Sequence, residues 1–204
     1  MREIVMLILA AGKSERMGKN KLLLPLGEGT VISTVIDSVL SAGISRIVLI
    51  TSGQIVASIH KKYISHVDFV VNAFPELGQS RSMQLGLEYI SAQNVPFGVL
   101  LGDMPMLSSN DIKSILDAFS KKPSGKTAVV PESDNCFGHP CFFAPVWIRR
   151  FCSVEGDVGG RKAIRNHLDE VQLVKARKGC FIDMDTPEDY ETIRKIRADK
   201  KEGE

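Results

Sequence analysis

The amino-acid sequence predicts an α/β fold, with helices on both faces of a mostly parallel β-sheet and therefore three layers. Strand patterns and helical patterns alternate through the first 120 residues, as they do in consecutive βαβ units. The first strand pattern, residues 4–9, is apolar at every position, which is typical of a strand buried on both faces of a parallel sheet. We therefore expect one domain over residues 1–198, followed by a charged tail, 199–204, that frays.

Each further strand is predicted where a short apolar run ends at a glycine or a polar segment. In chain order these runs are residues 46–51, 66–71, 97–101, 127–130, 140–143, 171–174 and 181–184. Helices are predicted where apolar residues recur every three or four positions, and Gly43 and Thr186 are expected to cap two of them. The predicted helices are residues 30–42, 54–62, 80–91, 108–120, 146–151, 160–167 and 187–198.

The composition excludes several classes of protein. The chain has 204 residues, of which 44% are hydrophobic and 25% charged, so it is too apolar for a disordered chain and long enough to form a core without a disulfide scaffold. Its 26 basic and 24 acidic residues leave a net charge of only +2, which argues against a nucleic-acid-binding surface. We expect no nucleic-acid partner.

The cysteines and the N-terminal segment indicate the compartment. Cys136, Cys141, Cys152 and Cys180 show neither CxxC nor zinc-finger spacing and are expected to be reduced thiols. The apolar run at residues 4–11 is too short to span a bilayer and has no evident cleavage site, so neither a signal peptide nor a membrane partner is expected. These observations predict a cytoplasmic protein.

The candidate chemistry lies where strands end, because ligands of open α/β sheets bind beyond the carboxyl ends of the strands. The segment after the first predicted strand combines the small residues Ala10, Ala11 and Gly12 with the basic residues Arg16 and Lys21. Small residues let the backbone approach a ligand, and the basic side chains can neutralise phosphate. The segment has neither a Walker A loop nor a dinucleotide-binding fingerprint, so by itself it is equally compatible with a phosphate site and a plain turn.

Two acidic residues that follow later strands are candidate metal ligands. Asp103 comes after the fourth predicted strand, where one or two carboxylates can hold Mg²⁺ together with substrate phosphates. Asp185, with or without Asp183, is the candidate second ligand. Each has a structural alternative, since Asp103 can stabilise a turn and Asp185 or Thr186 can cap the closing helix.

Together these segments resemble the molybdopterin nucleotidyltransferases, a group within the nucleotidyltransferase superfamily. The longest match is the signature LAAGxSxRMGxxKLLLPL, which stands at residues 9–26. The resemblance continues in the same order through residues 78–87, 102–105, 138–140, 156–161 and 183–189. The segment Leu9-Ala10-Ala11-Gly12 and the element Gly138-His139-Pro140 are most similar to the cytidylyltransferases of the molybdenum cofactor, since guanylyltransferase relatives usually begin LAGG.

This resemblance implies a three-layer, Rossmann-like fold of the nucleotide-diphospho-sugar transferase type. It implies transfer of CMP from CTP to the phosphate of molybdopterin or of the molybdenum cofactor, with release of pyrophosphate. The implied cofactor is Mg²⁺, with Mn²⁺ as an alternative because both ions suit carboxylate and phosphate oxygens. A further implied partner is a molybdoenzyme that receives the product.

The resemblance also implies roles for individual residues. Arg16 and Lys21 would hold the triphosphate and act in catalysis, and Asp103 and Asp185 would hold the metal. The nucleotide contacts would come from Leu9, Ala10, Ala11, Gly12, Ser80, Ser82 and Asp103. The acceptor contacts would come from Gly138, His139 and Pro140, and the segment 156–161 would be either a loop over the acceptor or a surface turn.

A substrate contact is the favoured role of His139. A phosphate acceptor is already ionised near neutral pH, so a general base is not required for its attack. A structural histidine is the alternative reading of this residue.

Three alternative functions stay open beside the cytidylyl transfer. They are the same transfer from GTP, transfer to another phosphorylated small molecule such as a sugar or polyol phosphate, and non-catalytic delivery of a cofactor. The joint presence of Arg16, Lys21, Asp103 and Asp185 argues against the last of these, because a delivery protein has no need of all four.

Overall fold

The computed structural model describes residues 3–152 and 159–202. Its strands are β1 (Val5–Ala10), β2 (Pro25–Leu26), β3 (Gly29–Thr30), β4 (Arg46–Thr51), β5 (Val67–Val71), β6 (Phe97–Leu101), β7 (Ala128–Ser133), β8 (Cys136–Phe137), β9 (Cys141–Phe143) and β10 (Val171–Val174). The main sheet has the order β10-β7-β9-β6-β1-β4-β5, with β8 paired to β7 beside this path. Strands β2 and β3 form a separate hairpin.

The main sheet is parallel at one end and mixed at the other. Strands β6, β1, β4 and β5 are parallel neighbours, and β10 runs parallel to β7. Strand β9 lies antiparallel between β6 and β7. The predicted α/β class with a mostly parallel sheet is therefore confirmed. Because β6, β1, β4 and β5 run parallel, their carboxyl ends lie at one edge of the sheet, where this class of fold binds its ligands.

Helices cover both faces of the sheet. In the described part of the chain they are α1 (Val31–Ser41), α2 (Gly53–Tyr63), α3 (Gly78–Ile90), α4 (Ser109–Ser120), α5 (Trp147–Cys152), α6 (Gly159–Asn166) and α7 (Pro187–Glu202). Met6 and Ile8 of β1 enter a core shared with α1 and α4, whereas Val5 and Leu7 enter a second core shared with α3, α5 and α6. All four side chains are fully buried, which explains the continuous apolar run in the sequence. None of the helices just named is long and apolar enough to cross a membrane.

The predicted strand at residues 181–184 is wrong. Residues Lys178–Phe181 form a 3₁₀ turn, and the chain that follows it has no strand partner among the described residues. The Cys180 carbonyl accepts from the His139 N–H at 2.8 Å, and the Met184 N–H donates to the Asp103 carbonyl at 2.9 Å. Because these two bonds go to different loops, residues 180–184 join the Asp103 loop to the His139 loop and do not pair with a neighbouring strand.

The closing helix is longer than predicted. Helix α7 begins at Pro187 as expected but continues to Glu202, four residues beyond the predicted end at position 198. Residues 199–202 read Asp-Lys-Lys-Glu, and lysine and glutamate are good helix formers, so nothing in the local sequence stops the helix at 198.

Candidate active site

Two adjoining cavities open at the carboxyl edge of the parallel strands. The first cavity has a volume of about 500 Å³ and extends from the loop after β1 to the beginning of α3. The second cavity, of about 360 Å³, is lined by residues of α3, β6, β9 and α6. Leu9, Gln79 and Leu101 line both, so the two cavities meet at the ends of β1 and β6. A ligand in each cavity would therefore lie next to the other at this junction.

Two cations and two carboxylates form a cluster in the first cavity. The Lys21 Nζ donates to Asp103 Oδ2 at 2.6 Å and to Asp185 Oδ1 at 2.7 Å. The Arg16 Nη2 donates to Asp185 Oδ2 at 2.6 Å, across 169 positions of sequence. The structure thus brings together the four residues for which the sequence predicts catalysis or metal binding. Their formal charges cancel. An anion that enters the cavity can pair with Lys21 or Arg16, and a cation can pair with Asp103 or Asp185.

Asp185 lies two positions before the first residue of α7, Pro187, and the sequence leaves open whether it caps the helix. The cap is Thr186, whose Oγ1 accepts from the Asp189 N–H at 3.1 Å. In return, Asp189 Oδ2 accepts from the N–H groups of Asp185 at 3.0 Å and Thr186 at 2.8 Å. The Asp185 carboxylate takes no part in capping and is therefore left to Lys21 and Arg16.

Attraction within the cluster shifts the pKa of two of its members. Burial is the largest effect on Lys21 and by itself lowers the pKa, but the charge of Asp103 and the hydrogen bonds to both carboxylates outweigh it and hold the pKa above 10.5. The hydrogen bond from Lys21, with smaller help from the charges of Lys21 and Arg16, holds the pKa of Asp185 below its ordinary value despite partial burial. Both groups are therefore charged near neutral pH.

The carboxylates of the cluster fit a divalent cation. Asp103 Oδ1 is buried and has no hydrogen-bond partner among the described residues, so one acceptor atom remains available. Two carboxylates, completed by phosphate oxygens and water, are a donor set suited to Mg²⁺ or Mn²⁺. Across residues 3–152 and 159–202, no three His, Cys, Asp or Glu side chains gather into a metal site. A metal held by Asp103 and Asp185 would therefore need further ligands from the substrate.

The end of β1 and the loop after it form one wall of the first cavity. Leu9, Ala10, Ala11 and Gly12 all line it, in the place predicted for nucleotide contacts. A Cβ built on Gly12 would meet no other atom within 4 Å, so the space beside this backbone is open to a ligand. Gly12 thus faces open cavity space, whereas the side chains of Ala10 and Ala11 are buried and these two residues border the cavity from the core side.

The two serines predicted to contact the nucleotide lie in different cavities. Ser82 lines the first cavity, whereas Ser80 lines the second, because residues two positions apart on a helix point in different directions. Ser80 therefore lies beside the cavity that contains the predicted acceptor residues Gly138 and His139. Sequence reasoning missed Asn72, which is buried beside Ser82, and Gln79, which lines both cavities. The only signal for Asn72 was a polar residue directly after a strand pattern.

The second cavity contains the predicted acceptor residues only in part. Gly138 and His139 line it, whereas Pro140, which follows a cis peptide bond, is buried and does not. Arg161 supplies a cation. The remaining lining is largely apolar and includes Met83, Phe137, Phe143, Phe151 and Ile164.

His139 is held as a neutral hydrogen-bond acceptor. Its Nδ1 lies 3.2 Å from the Val99 carbonyl oxygen, which can only accept, so Nδ1 carries the proton and Nε2 keeps its lone pair. Burial lowers the pKa of His139 below its ordinary value of 6.5, against the opposing effects of Val99 and Asp103. The uncharged ring can accept a hydrogen bond from a ligand N–H but adds no positive charge for a phosphate.

The predicted loop at residues 156–161 is described only at its end. Residues 156–158 lie outside the described ranges, and Gly159 begins α6. Gly160 and Arg161 line the second cavity, on the side where the acceptor is predicted.

Comparison with known families and proteins gives consistent matches over most of the chain. The profile of the MobA-like NTP transferase domain matches residues 6–171. The purine catabolism protein PucB of Bacillus subtilis (strain 168) is 27% identical over 217 residues, covering 96% of this chain and 98% of that protein. The molybdenum cofactor cytidylyltransferase of Escherichia coli (strain K12) is 27% identical over 196 residues, covering 95% and 97%.

Solved structures share the fold. Rv0371c from Mycobacterium tuberculosis H37Rv superposes with a TM-score of 0.78 at 23% identity, covering 95% of this chain and 98% of that one. A second structure of Rv0371c, in complex with manganese, superposes with a TM-score of 0.73 at 22% identity and the same coverage of 95% and 98%. At these identities the likeness concerns the fold alone.

Proposed function

We propose, because the chain belongs to the MobA-like NTP transferase family, that it transfers CMP from CTP to the phosphate of molybdopterin or of the molybdenum cofactor. Membership of this family makes the chain a nucleotidyltransferase. The identity of the nucleotide, CTP, and that of the acceptor, molybdopterin or the molybdenum cofactor, are what we propose beyond family membership. The similarity to the Escherichia coli cytidylyltransferase along 95% of the chain supports this choice.

The observation that carries the proposal is the pair of cavities that share Leu9, Gln79 and Leu101. Nucleotidyl transfer needs two phosphorylated molecules held with their reacting atoms in contact. The first cavity contains the charged cluster and the small residues of the signature, which suit a triphosphate. The lining of the second cavity is largely apolar, which suits an organic acceptor.

In the proposed reaction an oxygen of the acceptor phosphate attacks the α-phosphorus of CTP. The bond between the α-phosphorus and its bridging oxygen breaks, and pyrophosphate leaves with that electron pair. No proton transfer is needed, because the acceptor phosphate is already ionised. Lys21 and Arg16 would offset the negative charge that builds on the leaving pyrophosphate, and this charge stabilisation is the main contribution of the chain.

Asp103 and Asp185 would hold the divalent metal. When bound, Mg²⁺ or Mn²⁺ supplies Lewis-acid neutralisation of the phosphate oxygens. The free Asp103 Oδ1 supports this assignment, since a buried carboxylate oxygen is normally satisfied. The manganese complex of Rv0371c supports a divalent metal in proteins of this fold.

The second cavity would receive the acceptor. The partly exposed side chains of Phe137 and Met83 can pack against a flat pterin ring system, and Arg161 can pair with its anionic group. The Nε2 lone pair of His139 can accept from a pterin N–H. This combination supports molybdopterin over a sugar or polyol phosphate, which presents hydroxyl groups instead of a flat ring.

Isothermal titration with CTP, GTP, ATP and UTP in the presence of Mg²⁺ tests the choice of nucleotide. We expect CTP to bind most tightly. Tightest binding of GTP would shift the proposal to guanylyl transfer, and absent or equal binding of CTP would overturn the cytidylyl assignment. Mass spectrometry of the product formed from CTP and molybdopterin tests the acceptor, since the proposal requires a cytidylylated pterin.

Asp103→Ala tests the metal role. We expect this variant to lose Mg²⁺-dependent release of pyrophosphate while keeping its melting temperature within a few degrees. Asp117→Ala, at an exposed position of α4, removes an equal charge and should leave turnover unchanged. Near-normal turnover of Asp103→Ala would refute its role at the metal.

We propose that the reaction takes place in the cytoplasm, and the four cysteines support this because all are free thiols. A molybdoenzyme that receives the product is the proposed protein partner. Co-purification of the chain with a molybdoenzyme, dependent on bound product, would test this.

A further inference from the structure

Asn72 is a buried residue at the end of β5 that lies outside the charged cluster. Its backbone N–H donates to the Thr51 carbonyl at 2.9 Å, and the Thr51 Oγ1 donates to the Ala10 carbonyl at 3.3 Å. Its side-chain Nδ2 donates to Ser82 Oγ at 3.0 Å. Asn72 and Ser82 are only 3% and 5% exposed. These bonds connect the carboxyl ends of β1, β4 and β5 to α3 along the first cavity.

The orientation of the Asn72 carboxamide is determined by its partners. The Phe74 N–H donates to Asn72 Oδ1 at 2.9 Å. A backbone N–H can only donate, so the atom that it meets must be the oxygen. The NH₂ group therefore faces Ser82, because a flipped carboxamide would place two donors against each other at Phe74.

This orientation determines the direction of the Ser82 hydroxyl. The Ser82 Oγ accepts a hydrogen bond from the Asn72 Nδ2, so the hydroxyl proton of Ser82 must point elsewhere. Among the described residues, no acceptor for that proton is present. Ser82 lines the first cavity, and a buried hydroxyl donor without a partner is costly, so the proton is available to a ligand there.

We infer that Asn72 is a positioning residue that holds the Ser82 hydroxyl as a hydrogen-bond donor to the nucleotide. The inference rests on the proposed function, because it takes the first cavity as the nucleotide site. The ligand atom that Ser82 meets is an acceptor, such as a base carbonyl, an unprotonated ring nitrogen or a ribose oxygen. Asn72 does not line the cavity and acts only through Ser82.

Asn72→Asp reverses the hydroxyl with almost no change of shape. One carboxylate oxygen still accepts from the Phe74 N–H, and the other now accepts a hydrogen bond from the Ser82 hydroxyl, so Ser82 presents lone pairs to the nucleotide. At about pH 8, where a carboxyl group is ionised, we expect the dissociation constant for CTP with Mg²⁺ to rise about tenfold or more by isothermal titration. Ser82→Ala, which removes the donor, should weaken binding by a similar factor.

The double variant Asn72→Asp with Ser82→Ala separates this mechanism from the added charge. If the added charge repels the triphosphate, it will weaken CTP binding even when the Ser82 hydroxyl has been removed. If the weakening comes from reversal of the Ser82 hydroxyl, it will disappear once that hydroxyl has been removed. We therefore expect the double variant to bind CTP within about twofold of Ser82→Ala. Equal weakening by Asn72→Asp in both backgrounds, or no weakening by it in the wild-type background, would overturn the inference.

Asn72→Ala keeps the test decisive if the aspartate variant fails to fold. This change frees the Ser82 hydroxyl without reversing it, so CTP binding should weaken less than in Asn72→Asp, and the effect should vanish in Ser82→Ala. An undiminished effect in that background would overturn the inference. Failure of the wild-type chain to bind any nucleoside triphosphate would instead overturn the proposed function, so the two failures are distinguishable.

Discussion

The Lys21 Nζ lies 2.6 Å from Asp103 Oδ2 and also contacts Asp185, so an ammonium group stands between the two carboxylates proposed to hold the metal. A triphosphate offers Lys21 a different anionic partner and thereby releases both carboxylates toward a cation. Without a nucleotide, a metal must compete with Lys21 for the same oxygen atoms. Binding of nucleotide and metal should therefore be positively coupled through this residue.

Lys21→Gln should strongly impair catalysis. Removing the buried cation takes away stabilisation of the leaving pyrophosphate, and we expect turnover to fall about 100-fold or more. Pyrophosphate release with CTP and the acceptor measures the effect. Lys19→Gln changes the same charge at an exposed position and should keep near-normal turnover. A Lys21→Gln rate within about threefold of the wild type would contradict the catalytic role.

The same substitution should increase the affinity for metal alone. With Lys21 gone, Mn²⁺ no longer competes for Asp103 and Asp185, so its dissociation constant in the absence of nucleotide should decrease by about tenfold. Electron paramagnetic resonance of free Mn²⁺ measures this directly. Asp103→Asn should abolish the binding. Weaker Mn²⁺ binding by Lys21→Gln would show that the lysine does not compete with the metal.

His139 should make stability depend on pH. Because burial lowers the pKa of His139 in the folded chain below 6.5, the unfolded chain binds a proton more readily. The free energy of unfolding should be largest above about pH 6.5 and decrease as the pH falls from there toward the folded-state pKa. Urea unfolding at about pH 8 and about pH 5.5 should show a smaller decrease for His139→Gln.

His66→Gln is the matched control for this measurement. His66 is exposed, so its substitution should leave the pH dependence of the wild type in place. Identical pH dependence in His139→Gln and the wild type would argue against a half-buried His139 that is neutral in the folded chain.

Gly138→Ala should disturb the second cavity and leave the first intact. A Cβ at this position would lie 2.6 Å from the Cys180 carbonyl oxygen and 2.7 Å from the Phe181 ring. Relief of this overlap requires backbone movement, so we expect a loss of about 1–3 kcal/mol in the free energy of unfolding. Chemical denaturation measures this loss, and titration with CTP should show unchanged affinity.

Gly160→Ala provides the comparison at the same cavity. A Cβ on Gly160 would meet nothing within 4 Å, so its stability should match the wild type within about 0.5 kcal/mol. If both alanine variants unfold equally easily, steric overlap at Cys180 is not the cause.

The central strands and the first loop were predictable because their signals are local. Strand β1 is buried on both faces, and such a strand must be apolar at each position. The interpretation of residues 181–184 failed for the opposite reason. Its apolar residues resemble a strand, but Met184 bonds to Asp103 and the preceding Cys180 bonds to His139, and both partners lie far away in sequence.

The sequence predicted part of the lining of the candidate site but not its arrangement, and it missed Gln79. The signature at 9–26 and the position of Asp103 after β6 were sufficient to select Arg16, Lys21 and Asp103. The contact of Lys21 with both carboxylates was not predicted, nor was the separation of Ser80 from Ser82 between two cavities.

Local sequence patterns define the α/β architecture, the small-residue loop and the charged residues available at the strand ends, since burial and backbone conformation impose residue types over short stretches. Three-dimensional packing alone settles which of these groups touch. Lys21 and Asp185 are 164 positions apart, and the direction of the Ser82 hydroxyl depends on an amide ten positions away. Distances and proton directions of this kind arise only when the chain folds, because no periodicity in the sequence encodes them.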